Sequence, residues 1–135
     1  MDPGLVACAG LGEAIGRAEY VAALDGRQAL GFAMHEFMQS YDLLLMPTLP
    51  VTAFPAGQIA PDKQSGKQWV DWLPWTYPFN LSRQPAASIP CGLTGAGLPA
   101  ALQIVGPIYG ETAVLRAARA FEEAQPWALP SVATV

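Results

Sequence analysis

The chain has 135 residues and a net charge of −4 at pH 7, and its seven basic residues are scattered rather than clustered. This charge distribution argues against nucleic-acid binding, and the sequence has no run of 18 apolar residues that could form a membrane span. Only 13% of the residues are charged and 52% are hydrophobic, whereas soluble domains carry about 25% charged residues. Either part of the surface is buried against other protein, or the many Gly and Pro residues cover it; the apolar runs described below favour burial.

The first part of the sequence predicts two helices and a strand. Residues 1–16 are rich in Ala and Gly and predict a short or frayed helix. From 18 to 40 the apolar residues follow three- and four-residue steps, which predicts a longer helix with Gly26 as a candidate break. The segment 41–48 contains four consecutive apolar residues at 43–46. This run predicts a strand that is buried on both faces, with layers on both sides of its sheet.

A long connection follows from 47 to 78 and holds many of the prolines. Its polar centre predicts a mobile loop at about residues 55–68. The aromatic residues that follow predict an ordered, buried segment: Trp69, Trp72, Trp75, Tyr77 and Phe79.

The last part of the chain predicts two strands and a helix. The strands span 86–91 and 100–105, and the glycine-rich stretch 92–99 reverses the chain between them. The final helix spans 112–124 and is stopped by Pro126. The whole chain, residues 1–135, is therefore expected to be one structural unit of mixed α/β class.

Cofactor and metal sites are not expected. The stretch 92–97 matches part of a nucleotide-binding fingerprint, but it leads into a strand and no phosphate-binding lysine follows. Cys8 and Cys91 are far apart in sequence and, with a single His in the chain, do not form a zinc-binding pattern. The first residues lack the basic and apolar regions of a secretory signal, and the two cysteines fit buried residues of a cytoplasmic protein.

No catalytic group can be assigned from spacing alone. His35 and Glu36 are adjacent on a predicted helix and so do not face each other, which favours a partly buried structural His. Ser88 lies in an apolar strand, where a buried hydroxyl is expected, and neither it nor Ser82 has an identifiable base or oxyanion hole. The pair at 122–123 is expected to be a solvated helix edge.

Three stretches together resemble the amidase-signature family: 41–48 (YDLLLMPT), 78–92 (PFNLSRQPAASIPCG) and 97–106 (GLPAALQIVG). The helix that follows, with Phe121 and Glu122, fits the same pattern. The resemblance covers nearly the whole chain and corresponds to about the last third of a typical member. It implies the carboxy-terminal portion of an amidase domain, with helices packed on strands of a mixed sheet that is incomplete in this chain.

The resemblance implies hydrolysis of carbon–nitrogen amide bonds to a carboxylate and ammonia or an amine. Family members use a Ser–cis-Ser–Lys triad whose serines lie in an upstream Gly-Gly-Ser-Ser-Gly-Gly-type motif, and this sequence has no such motif. Lys63 and Lys67 have no matching context. No catalytic residue is carried over, and the chain alone is expected to be inactive.

The resemblance also implies that the segment before 78–81 lines the substrate pocket, at Trp69, Val70 and Leu73. Glutaminase subunits of tRNA-dependent amidotransferases have an acidic residue there that holds the substrate amino group. Leu73 is the nearest equivalent here, since Asp71 is out of register by two. An apolar side chain favours aryl or aliphatic amides over glutamine.

Arg83 stands where the family usually has Gly, and it should strain or alter the turn if that position has a positive φ.

Two alternatives remain open. One is the glutaminase (A) subunit of a tRNA-dependent amidotransferase, and the other is a non-catalytic, stand-alone α/β binding module. The expected partners are a small-molecule amide substrate in the complete enzyme and further copies of the chain, associated through an exposed sheet edge. Neither nucleic acid nor membrane is expected as a partner.

Overall fold

A computed structural model describes residues 3–58, 60–61 and 73–127 of the chain. In chain order, the elements are α1 (Pro3–Gly12), α2 (Arg17–Met38), β1 (Leu44–Pro47), α3 (Tyr77–Ser82), β2 (Ala86–Leu93), β3 (Pro99–Val105) and α4 (Glu111–Ala124). The mixed α/β class is confirmed. None of the helices in these ranges combines the length and the hydropathy that a membrane span requires.

The three strands form one antiparallel sheet in the order β1-β3-β2. Val105 of β3 pairs with Leu44 on one side and with Ala86 on the other. The predicted chain reversal between β2 and β3 is confirmed, because Thr94 N–H donates to Leu98 O at 2.8 Å. Gly97 has a φ of 77° in this turn, a conformation that glycine adopts without steric cost.

The core is centred on β3. Among the described residues, the buried apolar side chains are Met38, Phe79, Ile104, Val105 and Val114. Consecutive strand residues point to opposite faces, and Ile104 and Val105 are 1% and 0% exposed, so β3 is covered on both faces. Helix α4 lies against β2 and β3. A Cβ on Gly106 would lie only 2.7 Å from Val114 Cγ2, so α4 packs closely where β3 ends.

The prediction that the first strand is buried on both faces is wrong for this chain. β1 is an edge strand, and its burial alternates: Leu44 and Met46 are half-buried, whereas Leu45 and Pro47 are exposed. Leu45 pairs with Ile104 and shares its face of the sheet, yet it is 57% exposed. The apolar run is typical of a strand that is covered on both faces. The described residues leave the face of β1 that carries Leu45 open.

Helix α2 is continuous from Arg17 to Met38, so no break occurs at Gly26. Helix α1 and the final helix α4 lie where the sequence predicts them. The aromatic segment is ordered where it is described: Phe79 is buried, and Trp75 and Tyr77 are half-buried. Most of the predicted mobile loop, as well as Trp69 and Trp72, lies outside the described residues.

Helices α1 and α2 carry many exposed large apolar side chains, namely Leu5, Val6, Leu11, Tyr20, Val21, Leu24, Phe32 and Phe37. Phe32 is 72% exposed, an unusual position for a phenylalanine in a monomeric domain. The low charge content thus corresponds to apolar surface that the described residues leave open.

Candidate functional site

The segment predicted to line the substrate pocket ends in a turn, residues 73–76, that is fixed to the sheet. Leu73 O accepts two hydrogen bonds from Thr76, one from its N–H at 3.2 Å and one from its Oγ1 at 3.1 Å. Two residues later, Trp75 O accepts a hydrogen bond from Gln103 Nε2 at 3.1 Å. Gln103 is only 5% exposed and lies on the central strand, so the turn is held by a buried side chain. Leu73 itself is half-buried.

Helix α3 follows this turn directly. Pro78 lies in its first turn, where a missing N–H costs nothing because that donor has no partner inside the helix. At the other end, Arg27 Nε of α2 donates to Leu81 O at 3.0 Å. This bond satisfies one of the carbonyls that a helix leaves free at its carboxyl end, and it joins α2 to α3.

Arg83 ends α3 in the left-handed conformation, with φ 66° and ψ 25°. The condition for strain at this position, a positive φ, is therefore met. The left-handed conformation costs a residue with a Cβ about 1–2 kcal/mol relative to the right-handed one, and glycine avoids most of that cost.

The change Arg83→Gly is expected to raise the free energy of unfolding by about 1 kcal/mol, because it relieves this strain. Urea denaturation followed by circular dichroism measures the change. The matched control is Arg83→Ala, which removes the same charge but keeps the Cβ and should give no such gain. Equal gains from both variants would show that the charge, not the backbone, destabilises the turn.

Beside this turn lies a buried polar pair that the sequence did not indicate. Ser82 Oγ donates to Pro78 O at 2.6 Å and is also within hydrogen-bond distance of the Gln84 side-chain amide. Gln84 is 7% exposed, and its Nε2 has no partner among the described residues. Buried polar groups are normally satisfied, so Gln84 Nε2 is an exception among the described residues.

Ser88 is not the buried hydroxyl that its apolar strand predicts. It is exposed, and its Oγ lies 2.8 Å from Thr48 Oγ1, at the end of β1. Both side chains border a cleft of about 340 Å³ lined by residues 47–52, Ser88, Ala100 and Ala101. None of the described Lys and His residues lines this cleft, so the described part of the chain offers Ser88 no base that would make it a nucleophile.

The prediction that His35 is partly buried is also wrong. His35 is exposed on α2, and its Nε2 lies 3.3 Å from Gln39 Nε2, one turn later.

The acidic pair at 122–123 is a solvated edge as predicted, and Glu123 accepts a hydrogen bond from Arg119 Nε at 2.5 Å. No cluster of His, Cys, Asp and Glu that could hold a metal occurs in the described part of the chain.

Comparison with known proteins decides the family. The family model described as Amidase matches residues 10–115 of the chain. The chain belongs to the amidase family. The match includes the stretches 41–48, 78–92 and 97–106 that carry the sequence resemblance.

Individual relatives agree with this assignment. The chain is 43% identical over 96 residues to an acylamidase of Rhodococcus erythropolis, across 68% of this chain and 20% of that protein. It is 38% identical over 110 residues to the A subunit of the glutamyl-tRNA(Gln) amidotransferase of Microcystis aeruginosa, across 82% of this chain and 22% of that protein. A crystal structure of a bacterial aryl acylamidase of the amidase-signature family superimposes with a TM-score of 0.75 and 30% identity, across 94% of this chain and 27% of that one. The chain thus spans about a fifth to a quarter of the length of these relatives.

Of the three residues predicted to line the amidase substrate pocket, the structure describes one. Leu73 lies at the start of the turn that Gln103 fixes to β3. Trp69 and Val70 lie outside the described residues, as do Lys63 and Lys67. The contact of these positions with substrate stays a prediction.

Proposed function

We propose that this chain forms part of an amidase that hydrolyses carbon–nitrogen amide bonds, releasing a carboxylate and ammonia or an amine. The observation that carries the proposal is the identity of 43% with an acylamidase, in a chain that the Amidase family model matches over residues 10–115. The chemistry itself belongs to the part of an amidase that this sequence does not contain, because the Gly-Gly-Ser-Ser-Gly-Gly-type motif is absent from it.

The contribution proposed for this chain is one wall of the substrate pocket, formed by Trp69, Val70 and Leu73. The hydrogen bond from Gln103 to Trp75 O supports this role, because a pocket wall must hold its shape when substrate binds. An apolar wall favours aryl or aliphatic amides, since it offers no charge to the amino group of glutamine. The proposal needs no cofactor and no metal.

The substrate preference is tested on a longer polypeptide that joins this sequence to a preceding portion with the Gly-Gly-Ser-Ser-Gly-Gly-type motif. The change Leu73→Asp is expected to lower kcat/KM for an aryl amide by about tenfold or more, because it places a charge against an apolar group. Steady-state assays with an acetanilide and with glutamine measure both activities. The control Leu73→Met keeps the wall apolar and should retain most of the aryl-amide activity.

The second candidate is the glutaminase subunit of a tRNA-dependent amidotransferase. The identity of 38% to the amidotransferase protein of Microcystis aeruginosa favours it, and the apolar Leu73 counts against it. Strict preference of the unmodified longer protein for glutamine would refute the apolar-wall proposal and establish this second candidate. If the unmodified longer protein is folded but hydrolyses no amide, the result would instead favour a stand-alone binding module.

We propose a cytoplasmic location, a small-molecule amide as the partner of the complete enzyme, and self-association of this chain through the exposed edge of β1. The basic residues are scattered along the sequence, which argues against a nucleic-acid partner.

A further inference from the structure

A cleft of about 440 Å³ lies between α2 and α3, and none of its lining residues belongs to the turn at 73–76. Its volume falls within the range of about 300–1,000 Å³ that small-molecule sites occupy. Phe32, Leu81 and Ile108 supply apolar surface, whereas Arg27, Arg83 and His35 supply the groups that can bind an anion. The cleft therefore combines apolar walls with a positive rim.

The charge of this cleft is opposite to that of the chain. The sequence has 11 acidic and seven basic residues, yet none of the Asp and Glu residues in the described ranges lines the cleft. Arg27 uses Nε to bind Leu81 O, which leaves its two terminal amino groups for a ligand. Within the described ranges, neither Arg27 nor Arg83 pairs with a carboxylate.

The backbone of Arg83 adds an independent observation. Arg83 holds a φ of 66°, a conformation that disfavours any residue with a Cβ, and its side chain lines the cleft. Residues in such conformations concentrate at ligand-binding sites, where the function of the side chain outweighs the strain. An arginine in this position supplies two parallel N–H donors that suit a carboxylate.

We propose that the cleft between α2 and α3 binds a small organic acid with an aromatic body. Its carboxylate is bound by the guanidinium groups of Arg83 and Arg27, and its ring packs against Phe32 and Leu81. An inorganic anion would leave the apolar walls unused, and a neutral aromatic amide would leave the guanidinium groups without a counter-charge. The pairing of charge and apolar surface thus defines the ligand class.

The test uses the single His of the chain as a local probe, because His35 lines the cleft and its ring C2 proton gives one resolved NMR signal. Titration with phenylacetate is expected to shift this signal in a saturable manner, with a Kd of about 1 mM. Phenylacetamide and inorganic phosphate are expected to bind at least about tenfold more weakly, because each lacks one of the two interactions. A shift that does not saturate, or equal affinity for phenylacetate and phenylacetamide, overturns the proposal.

The variant Arg83→Gln is expected to weaken phenylacetate binding at least about tenfold, because it removes a charged donor. Arg83→Gly should lose binding to the same degree while relieving the backbone, so that loss of fold cannot account for the result. The matched control is Arg116→Gln, which removes an exposed arginine on α4 and should leave binding unchanged. Equal weakening by Arg83→Gln and Arg116→Gln would contradict a specific site.

Discussion

The change Ile104→Ala is expected to abolish the cooperative unfolding transition of the isolated chain. Removing most of a buried Ile side chain costs about 2–5 kcal/mol, and small domains have only about 5–15 kcal/mol in total. Ile104 is 1% exposed, and few other apolar side chains of the described residues are buried. This chain therefore has less stability to lose than a domain with a full core.

Leu45→Ala is the matched control for that change. Leu45 pairs directly with Ile104 and lies on the same face of the sheet, but it is 57% exposed. Its truncation should cost less than about 1 kcal/mol, because little apolar surface is lost from the interior. Urea denaturation with tryptophan fluorescence measures both variants. Equal losses would show that the core is not centred on β3.

The second large effect is self-association of the isolated chain. The exposed apolar side chains of α1, α2 and β1 should bind a hydrophobic dye and give species heavier than the 14.3 kDa monomer in sedimentation velocity. Among the described residues, no strand pairs with the outer edge of β1, which lies beside its exposed apolar residue Leu45. Edge strands of this kind pair with other chains unless a charge blocks them.

Leu45→Lys is therefore expected to weaken association about tenfold or more, since lysine on an edge strand opposes pairing. The matched control is Leu115→Lys on α4, because Leu115 is 64% exposed and lies away from the strand edge. It adds the same charge and should leave association nearly unchanged. A chain that stays monomeric without dye binding would refute the exposed-surface interpretation, and equal effects of both variants would refute association through β1.

Much of the fold follows from local pattern. The two long helices, the β2–β3 reversal and the stop before Pro126 were predicted because spacing, glycine and proline act over a few residues. The family resemblance singled out Arg83, since glycine is the usual residue at that position, but it gave strain only on the condition of a positive φ, which the structure supplies. Spacing alone would not have indicated it.

The three wrong predictions of burial share one cause. The two-sided burial of β1 and the burial of His35 and Ser88 depend on what lies against them, and the described residues leave those faces open. Gln103 was missed for a related reason. A glutamine in an apolar strand does not indicate a partner, and its hydrogen bond to Trp75 O joins residues far apart in sequence.

Amide hydrolysis is compared between the isolated chain and a longer polypeptide that joins this sequence to a preceding catalytic portion, which tests most directly whether the chain is one part of an amidase. The proposed role of this chain predicts that the isolated chain hydrolyses neither an acetanilide nor glutamine, because the Gly-Gly-Ser-Ser-Gly-Gly-type motif that carries the nucleophile in family members is absent from its sequence. It predicts that a longer polypeptide with the Gly-Gly-Ser-Ser-Gly-Gly motif in frame hydrolyses the acetanilide. Turnover of either amide by the purified isolated chain would contradict the account.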